Sequence, residues 1–301
     1  MFSRNQEIKS PLLEQHQISL FIKREDELHP LISGNKYRKL KYNLERAKAE
    51  GSTKLLTFGG AYSNHILATA VAAKEQGFEA IGVIRGDELQ ETWHFNHTLK
   101  SAADHGMQFK FISREDYRNK NAPEFLNYLR AEFGDYYLLP EGGTNNLAIQ
   151  GCEEILLPED TIFDVVTCAV GTGGTISGII NSRNKKQHVL GFPALKGDFL
   201  KKEIKKHTHQ NNWKLITDYH FGGYAKIDVE LINFINNFAV AHQVPLDPIY
   251  TGKMMFGIFN LIKKGYFRPQ TKILAIHTGG LQGVFGMNAI LKTKNLPLLQ
   301  L

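Results

Sequence analysis

The chain has 301 residues, of which 42% are hydrophobic and 22% charged, a composition typical of a globular protein with about two domains. The net charge of +6 is small for this length and argues against a nucleic-acid partner, and no apolar run approaches the ~20 residues that span a membrane. Residues 1–9 are polar, which argues against a secretory signal. Two cysteines, Cys152 and Cys168, are too few for a disulfide framework, and they predict buried thiols in a cytoplasmic protein.

Segments with strand and helix patterns alternate along the chain. In the first half the patterns predict strands at 18–23, 55–58, 80–85, 108–112 and 136–139. They predict helices at 35–49, 64–76, 94–105 and 123–132, and a further helix that follows residue 145 and ends near residue 156. In the second half they predict strands at 164–170, 189–192, 215–217 and 273–277, with helices between them. Because such alternation gives parallel strands joined by right-handed crossovers, the expected fold class is α/β, with two open, twisted, mostly parallel sheets flanked by helices.

Four loops that follow predicted strands share one composition. They are rich in glycine, serine, threonine and asparagine, and they cover residues 59–64, 141–145, 171–175 and 278–280. In open α/β sheets, ligands bind at the carboxyl ends of the strands. Loops of this composition expose backbone N–H groups and hydroxyls rather than metal ligands, so the sequence predicts a ligand site without a metal.

The loop Gly171-Thr172-Gly173-Gly174-Thr175 separates a buried strand from a helix. Glycines let an anion approach the backbone closely, and a helix N-terminus offers unpaired N–H donors, so the loop is interpreted as a phosphate cradle. It lacks the Gly-Lys-Ser/Thr end of a Walker A loop and the spacing of a dinucleotide fingerprint. A tight turn without a ligand is the alternative that these residues leave open.

Several other residues carry two interpretations each. Lys36, in the first turn of the predicted helix 35–49, either forms a Schiff base with a cofactor aldehyde or is a solvated lysine among several. Ser63 and Asn64 are either helix N-caps or ligand contacts, and Asn145 is either a pocket residue or a cap. A lysine, a phosphate cradle and a Ser-Asn loop together fit pyridoxal phosphate, which needs an amine, phosphate donors and a partner for its ring nitrogen.

Five segments, in order along residues 20–285, resemble the 1-aminocyclopropane-1-carboxylate deaminase/D-cysteine desulfhydrase family. Members of this family are fold type II pyridoxal-phosphate enzymes, similar in architecture to the tryptophan synthase β subunit. The segments are Ser33-Gly34-Asn35-Lys36-Tyr37-Arg38-Lys39-Leu40, Tyr62-Ser63-Asn64-His65, Gly171–Thr175, Asp247-Pro248-Ile249-Tyr250-Thr251-Gly252-Lys253 and His277-Thr278-Gly279-Gly280. The lysine motif and the phosphate loop each occur loosely elsewhere, but all five segments in this order are specific.

The resemblance implies a role for each matching residue. The catalytic set would be Lys36, as Schiff-base lysine and α-proton carrier, with Ser63, Tyr224 and Tyr250. The cofactor would contact Lys36, Lys39, Asn64, Gly171, Thr172, Gly173, Gly174, Thr175, Thr251 and Thr278. The substrate would contact Ser63, Asn64, His65 and Tyr250. The resemblance also implies a homodimer, a small domain of residues 45–147 and a large domain formed by 1–44 with 148–301.

Two positions discriminate within the family. This chain has threonine at both positions, Thr251 and Thr278, as the D-cysteine desulfhydrases do. The cyclopropane deaminases carry a glutamate at the first position and a leucine at the second. A carboxylate beside the ring nitrogen favours a protonated, strongly electron-withdrawing pyridinium, whereas a threonine hydroxyl makes a weaker electron sink. The sequence therefore favours β-elimination from D-cysteine or a related amino acid to pyruvate, ammonia and sulfide. Ring opening of 1-aminocyclopropane-1-carboxylate to 2-oxobutanoate and ammonia is the alternative.

Three further points complete the expectations. A lysine amine is ordinarily protonated at neutral pH, so Lys36 must be held neutral by burial or by positive charge from Lys39 and Arg38. The segment 86–93 is short for the family and could border the pocket. The competing functions are a nucleotide-binding module that uses Gly171–Thr175 and a cofactor-binding protein without turnover.

Overall fold

The structure is a computed structural model that describes residues 2–32 and 34–300. Its strands, in chain order, are β1 (Asn5–Ile8), β2 (Ser19–Lys23), β3 (Lys54–Gly59), β4 (Glu79–Arg85), β5 (Met107–Ile112), β6 (Tyr137–Leu139), β7 (Val165–Val170), β8 (His188–Pro193), β9 (Trp213–Leu215) and β10 (Lys272–Ile276). Its helices are α1 (Pro11–Gln15), α2 (Gly34–Ala49), α3 (Asn64–Gln76), α4 (His97–Asp104), α5 (Pro123–Phe133), α6 (Asn146–Glu153), α7 (Gly174–Ser182), α8 (Phe199–His207), α9 (Val229–His242), α10 (Thr251–Lys263) and α11 (Gly283–Thr293).

Two sheets organise these elements. The larger has the strand order β1-β2-β10-β7-β8-β9, and the smaller has the order β5-β4-β3-β6. The described strand pairs are parallel except for β1 with β2, which is antiparallel. The predicted fold class, α/β with two mostly parallel sheets flanked by helices, is therefore confirmed.

The strands are apolar because helices cover both faces of the sheets. All six residues of β7 are buried, as expected for a central parallel strand. The register places Ile273 of β10 between Leu20 of β2 and Val165 of β7, and all three side chains are buried. Each such aliphatic side chain contributes roughly 1.5–3 kcal/mol when it is fully buried, so the centre of the large sheet is a rigid base for the loops at its edge.

The helix α2 connects the two sheets. It packs against α6 on one side and α3 on the other. The proposed domain boundary at residue 44 falls inside this helix, so the chain passes between the two sheets without a linker. Residue Ser33, which begins the lysine motif in the sequence, lies outside the described residues.

The sequence patterns missed three elements and misplaced others. The strand β1 is polar (Asn-Gln-Glu-Ile) and lacks apolar alternation. The helix α1 has Ser10 as its N-cap before Pro11, and α11 has Val284, Met287 and Leu291 at helical spacing, signals that the prediction left unused. The predicted helix 94–105 begins later, at His97, because the Asn96 side chain accepts a hydrogen bond from Leu99 N (3.0 Å) and caps the helix there. The strand predicted at 215–217 lies at Trp213–Leu215.

Within residues 2–32 and 34–300, no helix combines the length and the apolar character that crossing a membrane requires.

Candidate active site

A cavity of about 550 Å³ lies where loops at the carboxyl ends of strands from both sheets meet. Loops after β3, β6, β7 and β10 and the first turn of α2 supply most of its wall, and other segments complete it with Arg85, Leu195, Tyr224, Ile249 and Tyr250. This is the edge at which open α/β sheets bind ligands. The structure thus brings together the four loops that the sequence analysis selected.

Lys36 projects into this cavity from the first turn of α2. Its Nζ donates a hydrogen bond to the carbonyl oxygen of Gly142, at 3.1 Å. Burial of the amine, helped by the positive charge of Lys39, holds the pKa of Lys36 well below its ordinary value. An amine that loses its proton readily is the property that a nucleophilic lysine requires.

Lys39 lies one turn further along α2 and is 2% exposed. Its Nζ donates to the same Gly142 carbonyl (3.2 Å) and to Thr144 Oγ1 (3.0 Å), and burial lowers its pKa. Gly142 can turn its carbonyl toward both lysines because its φ is +67°, a conformation that favours glycine. Among the described residues, Lys39 has no carboxylate partner within ion-pair distance, so its charge is available to an anion in the cavity.

The loop after β7 meets Lys39 at the N-terminus of α7. Gly173 occupies the N-cap position, and no side chain caps this helix. A Cβ on Gly174 would lie 2.8 Å from Thr144 Cγ2 and 3.2 Å from Lys39 Nζ, so only glycine leaves the space beside the lysine open. Uncapped N–H groups, the positive end of the helix dipole and Lys39 together form a site suited to an anion such as a phosphate group.

Ser63 and Asn64 begin α3 at the opposite wall. Ser63 Oγ accepts from Ile66 N (3.4 Å), so Ser63 is an N-cap and also lines the cavity. The carbonyl oxygen of the Asn64 side chain is buried and has no hydrogen-bond partner among the described residues. Since a buried polar atom without a partner is unfavourable, Asn64 is suited to bind a ligand group.

His65 is 1% exposed, and its Nε2 lies 2.9 Å from Thr57 Oγ1. Burial and the positive charges of Lys36 and Lys39 lower the pKa of His65 well below its ordinary value, so the ring is neutral. It therefore offers no positive charge to a substrate carboxylate. Its Nδ1 is buried and has no hydrogen-bond partner among the described residues, and the assignment of His65 to substrate binding stays a prediction.

Tyr224 and Tyr250 face each other on the large-sheet side. Their ring centroids are 6.3 Å apart, in an edge-to-face arrangement, and both line the cavity. Tyr250 packs over Gly171, where a Cβ would lie 3.2 Å from its ring. Burial raises the pKa of both phenols, so each hydroxyl keeps its proton and can donate it in a hydrogen bond.

The loop that carries Tyr224 is held by Lys253 of α10, which is 2% exposed. Lys253 Nζ donates to the carbonyl oxygens of His220 (2.9 Å) and Gly223 (2.8 Å). This support matters because Phe221 and Ala225 both adopt positive φ, a strained conformation for residues with a Cβ. Burial lowers the pKa of Lys253 to about 8.

We expect Lys253→Met to raise KM about tenfold with a smaller change in kcat, because two hydrogen bonds to a strained loop are lost and Tyr224 is displaced. Steady-state kinetics over a range of substrate concentrations measures the changes in KM and kcat separately. The matched control is Lys263→Met, at the exposed end of the same helix. Equal KM values for the two variants would show that Lys253 does not position the loop.

The two discriminating threonines have different surroundings. Thr278 is 7% exposed and lines the cavity. Thr251 is fully buried and does not line it, and its hydroxyl donates to Asp247 Oδ2 at 2.6 Å. The structure therefore brings Thr278, but not Thr251, to the cavity, and a cofactor contact for Thr251 stays a prediction.

Two other expectations are resolved by these contacts. Arg38 does not add free positive charge near Lys36, because Glu25 binds its guanidinium through two hydrogen bonds of 2.9 Å and Glu154 lies 3.8 Å away. This corrects the prediction that Arg38 lowers the pKa of Lys36. Asn145 is a helix cap, since it accepts from Ala148 N (2.9 Å) and does not line the cavity.

Sequence reasoning missed three cavity features. The Gly142 carbonyl binds both lysines, although the loop 141–145 had been selected only by composition. Arg85 and Glu141 line the cavity at the ends of β4 and β6. Their position at the carboxyl ends of parallel strands was the available signal. Trp93 and Gln90 of the short segment 86–93 instead border a separate groove beside β5.

Comparison with known proteins identifies the chain. A model of the family described as pyridoxal-phosphate dependent enzymes matches residues 4–279. The chain belongs to this family. The predicted cofactor, pyridoxal phosphate, is thereby confirmed.

Similar curated proteins name a narrower group within this pyridoxal-phosphate-dependent family. A putative 1-aminocyclopropane-1-carboxylate deaminase of Pyrococcus horikoshii is 32% identical over 286 residues, which covers 88% of this chain and 86% of that protein. The bifunctional D-cysteine desulfhydrase/1-aminocyclopropane-1-carboxylate deaminase, mitochondrial, of Arabidopsis thaliana is 31% identical, covering 88% of this chain and 73% of that protein. These similarities confirm the family that the sequence motifs indicated.

Solved structures agree. The crystal structure of a homologue of 1-aminocyclopropane-1-carboxylate deaminase superimposes with a TM-score of 0.82 at 28% identity, covering 97% of this chain and 94% of that one. A hydrogen sulfide-producing enzyme from Fusobacterium nucleatum has a TM-score of 0.66 at 15% identity, covering 93% and 96% of the two chains, and it shares the fold.

The residues of the cavity fit pyridoxal phosphate. Lys36 supplies an amine that loses its proton readily, and Lys39 with the uncapped N-terminus of α7 supplies an anion site. Asn64 supplies a side-chain amide whose oxygen lacks a partner among the described residues. In the same described part of the chain, no group of three or more histidine, cysteine, aspartate or glutamate residues is arranged to hold a metal ion.

Proposed function

We propose that this pyridoxal-phosphate-dependent enzyme is a lyase that eliminates the β-substituent of D-cysteine or a related β-substituted amino acid. The observation that carries the proposal is the position of Thr278, a hydroxyl side chain on the cavity wall where the cyclopropane deaminases have leucine. Thr251 replaces the glutamate of those enzymes. Without that carboxylate the ring nitrogen is a weaker electron sink, which suffices when the leaving group is a thiolate.

The lining of the cavity and the family resemblance support the following cofactor contacts. Lys36 would bind its aldehyde, the loop Gly171–Thr175 and Lys39 its phosphate, Asn64 its phenolic oxygen and Thr278 its ring nitrogen. When bound, pyridoxal phosphate supplies an electron sink for the negative charge that forms at the α-carbon.

The chain's own side chains would perform the remaining steps. Lys36 Nζ, with its lowered pKa, would accept the α-proton of the substrate, and Ser63 at the N-terminus of α3 would bind the substrate carboxylate. The protonated phenols of Tyr224 and Tyr250 would donate hydrogen bonds to the departing sulfur. In total, one D-cysteine and one water give pyruvate, ammonia and hydrogen sulfide.

A second candidate function is ring opening of 1-aminocyclopropane-1-carboxylate to 2-oxobutanoate and ammonia. Asp247 favours it, because this buried carboxylate accepts a hydrogen bond from the Thr251 hydroxyl and places negative charge directly behind Thr251. Burial raises the pKa of Asp247, which reduces the charge it delivers. Elimination from D-cysteine therefore remains the preferred function.

The discriminating experiment is an assay of pyruvate, sulfide and 2-oxobutanoate with D-cysteine, L-cysteine, D-serine, β-chloro-D-alanine and the cyclopropane amino acid. We expect pyruvate and sulfide in equal amounts from D-cysteine, and little 2-oxobutanoate. Formation of 2-oxobutanoate at a rate comparable with D-cysteine turnover would favour the second candidate. If the holoenzyme forms no product from any of the five amino acids, the result would favour a cofactor-binding protein without turnover.

The proposal includes a cytoplasmic homodimer, as the family resemblance implies. Cys152 and Cys168 are both free and fully buried, and burial raises the pKa of Cys152 to about 11. Thiols of this kind stay protonated and unreactive, which is consistent with a reducing compartment.

A further inference from the structure

Arg85 is a cation at the cavity wall that no role described so far uses. It is the last residue of β4, its side chain is exposed, and it lines the cavity. A Cβ on Gly60 would lie 3.5 Å from its Nη2, so the guanidinium lies over the turn that precedes α3. Its carbon atom Cζ is 5.6 Å from the ring centroid of Tyr117.

The guanidinium of Arg85 makes no ion pair and no hydrogen bond with any residue of 2–32 and 34–300. Arg118 and Arg268 also make no ion pair in this part of the chain, but they do not line the cavity, whereas other arginines pair with carboxylates. Arg114 pairs with Glu88 at 2.5 Å, and Arg38 pairs with Glu25 at 2.9 Å. A planar guanidinium is best satisfied by a carboxylate, sulfonate or phosphate group, so the natural partner of Arg85 is an anion that enters the cavity.

The surroundings of Arg85 leave its positive charge uncompensated. Glu141 also lines the cavity, but Lys120 Nζ lies 3.1 Å from its carboxylate. Lys120 Nζ lies over the same Tyr117 ring as Arg85, at 4.7 Å from the centroid. Burial raises the pKa of Tyr117, so this ring stays neutral and serves as a cation–π platform. The cations Arg85 and Lys120 and the carboxylate of Glu141 therefore leave one net positive charge at the cavity mouth.

The position of Lys36 decides which part of a substrate reaches Arg85. The α-carbon must lie beside the Lys36 amine, in the enclosed part of the cavity, and the α-carboxylate is bonded directly to that carbon. The positive charge of Arg85 acts on the phenol of Tyr224, which would donate to the departing group in the proposed mechanism. The exposed side chain of Arg85 would therefore lie on the side of the β-substituent.

We propose that Arg85 is a specificity-determining residue that binds an anionic group on the β-substituent of the amino-acid substrate. This inference rests on the proposed elimination activity and adds to its substrates amino acids with a phosphate, sulfonate or carboxylate on the leaving group. For O-phospho-D-serine, the Cβ–O bond breaks and its electron pair leaves on the phosphate. One substrate and one water give pyruvate, ammonia and inorganic phosphate, without an oxidant or reductant.

The test compares Arg85→Gln and Arg85→Lys with the native enzyme. The substrates are O-phospho-D-serine, with an anionic substituent, and β-chloro-D-alanine, with an uncharged one. For each substrate, kcat/KM of the variant is divided by kcat/KM of the native enzyme, so differences in leaving-group reactivity cancel. The difference between the two substrates in this relative kcat/KM then reports the contact of Arg85 with the anionic substituent. We expect Arg85→Gln to lower kcat/KM for the phosphate substrate about tenfold more than for the chloride, and Arg85→Lys to restore part of the loss.

A binding measurement without turnover accompanies the kinetics. D-Glutamate and D-glutamine have nearly the same shape and differ in one negative charge, so the shift that each causes in the thermal unfolding midpoint reports the charge alone. We expect a larger shift with D-glutamate for the native holoenzyme, and equal shifts for Arg85→Gln. Arg114→Gln is the matched control, since Arg114 is exposed nearby and does not line the cavity.

The outcomes separate the inference from the proposed function. Equal losses for both substrates in Arg85→Gln would overturn the inference and assign Arg85 to the α-carboxylate. No change for either substrate would overturn it as well. A native enzyme that releases pyruvate from no β-substituted amino acid would overturn the proposed function itself, whatever the binding data show.

Discussion

Lys36→Ala is expected to lower kcat/KM by about 10³-fold or more with every substrate that the native enzyme turns over. The variant lacks both the amine that holds the cofactor and the base that accepts the α-proton, and each such function contributes roughly 10²–10⁴-fold. The visible absorbance of the protein mixed with pyridoxal phosphate is also expected to match that of the free cofactor. Pyruvate release and the absorption spectrum measure the two effects separately.

The matched control is Lys48→Ala, on the same helix α2, where the exposed lysine donates to Gln76. It is expected to retain native rates and colour. Residual activity of Lys36→Ala at a tenth of the native rate would contradict the assignment, because no other group described in the cavity combines an amine with a strongly lowered pKa.

Lys39→Met is expected to weaken cofactor binding roughly 10- to 100-fold, since a charge-assisted hydrogen bond to a phosphate contributes about 1.5–3 kcal/mol. It has a second effect on Lys36. The positive charge of Lys39 lowers the pKa of Lys36, so its removal raises that pKa and leaves less neutral amine at a given pH. Capture of the cofactor by the apo-protein should therefore shift to higher pH.

Two measurements check this prediction. Titration of the apo-protein with pyridoxal phosphate gives the Kd, and the rate of colour formation between pH 6 and 10 gives the pH dependence. Lys41→Met is the control, because Lys41 pairs with Glu154 outside the cavity. Unchanged affinity with an unchanged pH profile would show that Lys39 neither contacts the phosphate nor acts on Lys36.

The fold could be predicted from the sequence because its central strands are short, apolar and separated by amphipathic helices. The helix 64–76 was placed at the correct residues, since Ser63 caps its start and Gly77, with φ of +78°, ends it. The strand β1 escaped prediction because its register is set by β2, not by an apolar pattern of its own.

The site was predictable where a motif lies within one loop and unpredictable where distant residues meet. Lys36 and the loop Gly171–Thr175 belong to local motifs. The pairing of Arg38 with Glu25, and the turn that points the Gly142 carbonyl at both lysines, depend on contacts between segments that the sequence separates. Composition alone could not assign Arg85, since an arginine at a strand end becomes informative only when its lack of a partner is visible.

The most direct test of the account is the identity of the lysine that binds the cofactor. The native protein is incubated with pyridoxal phosphate, reduced with borohydride, digested and examined by mass spectrometry. We expect one modified lysine, Lys36, in near-stoichiometric yield. Modification at Lys39 or at surface lysines, with Lys36 unmodified, would contradict the central claim that the first turn of α2 carries the catalytic amine.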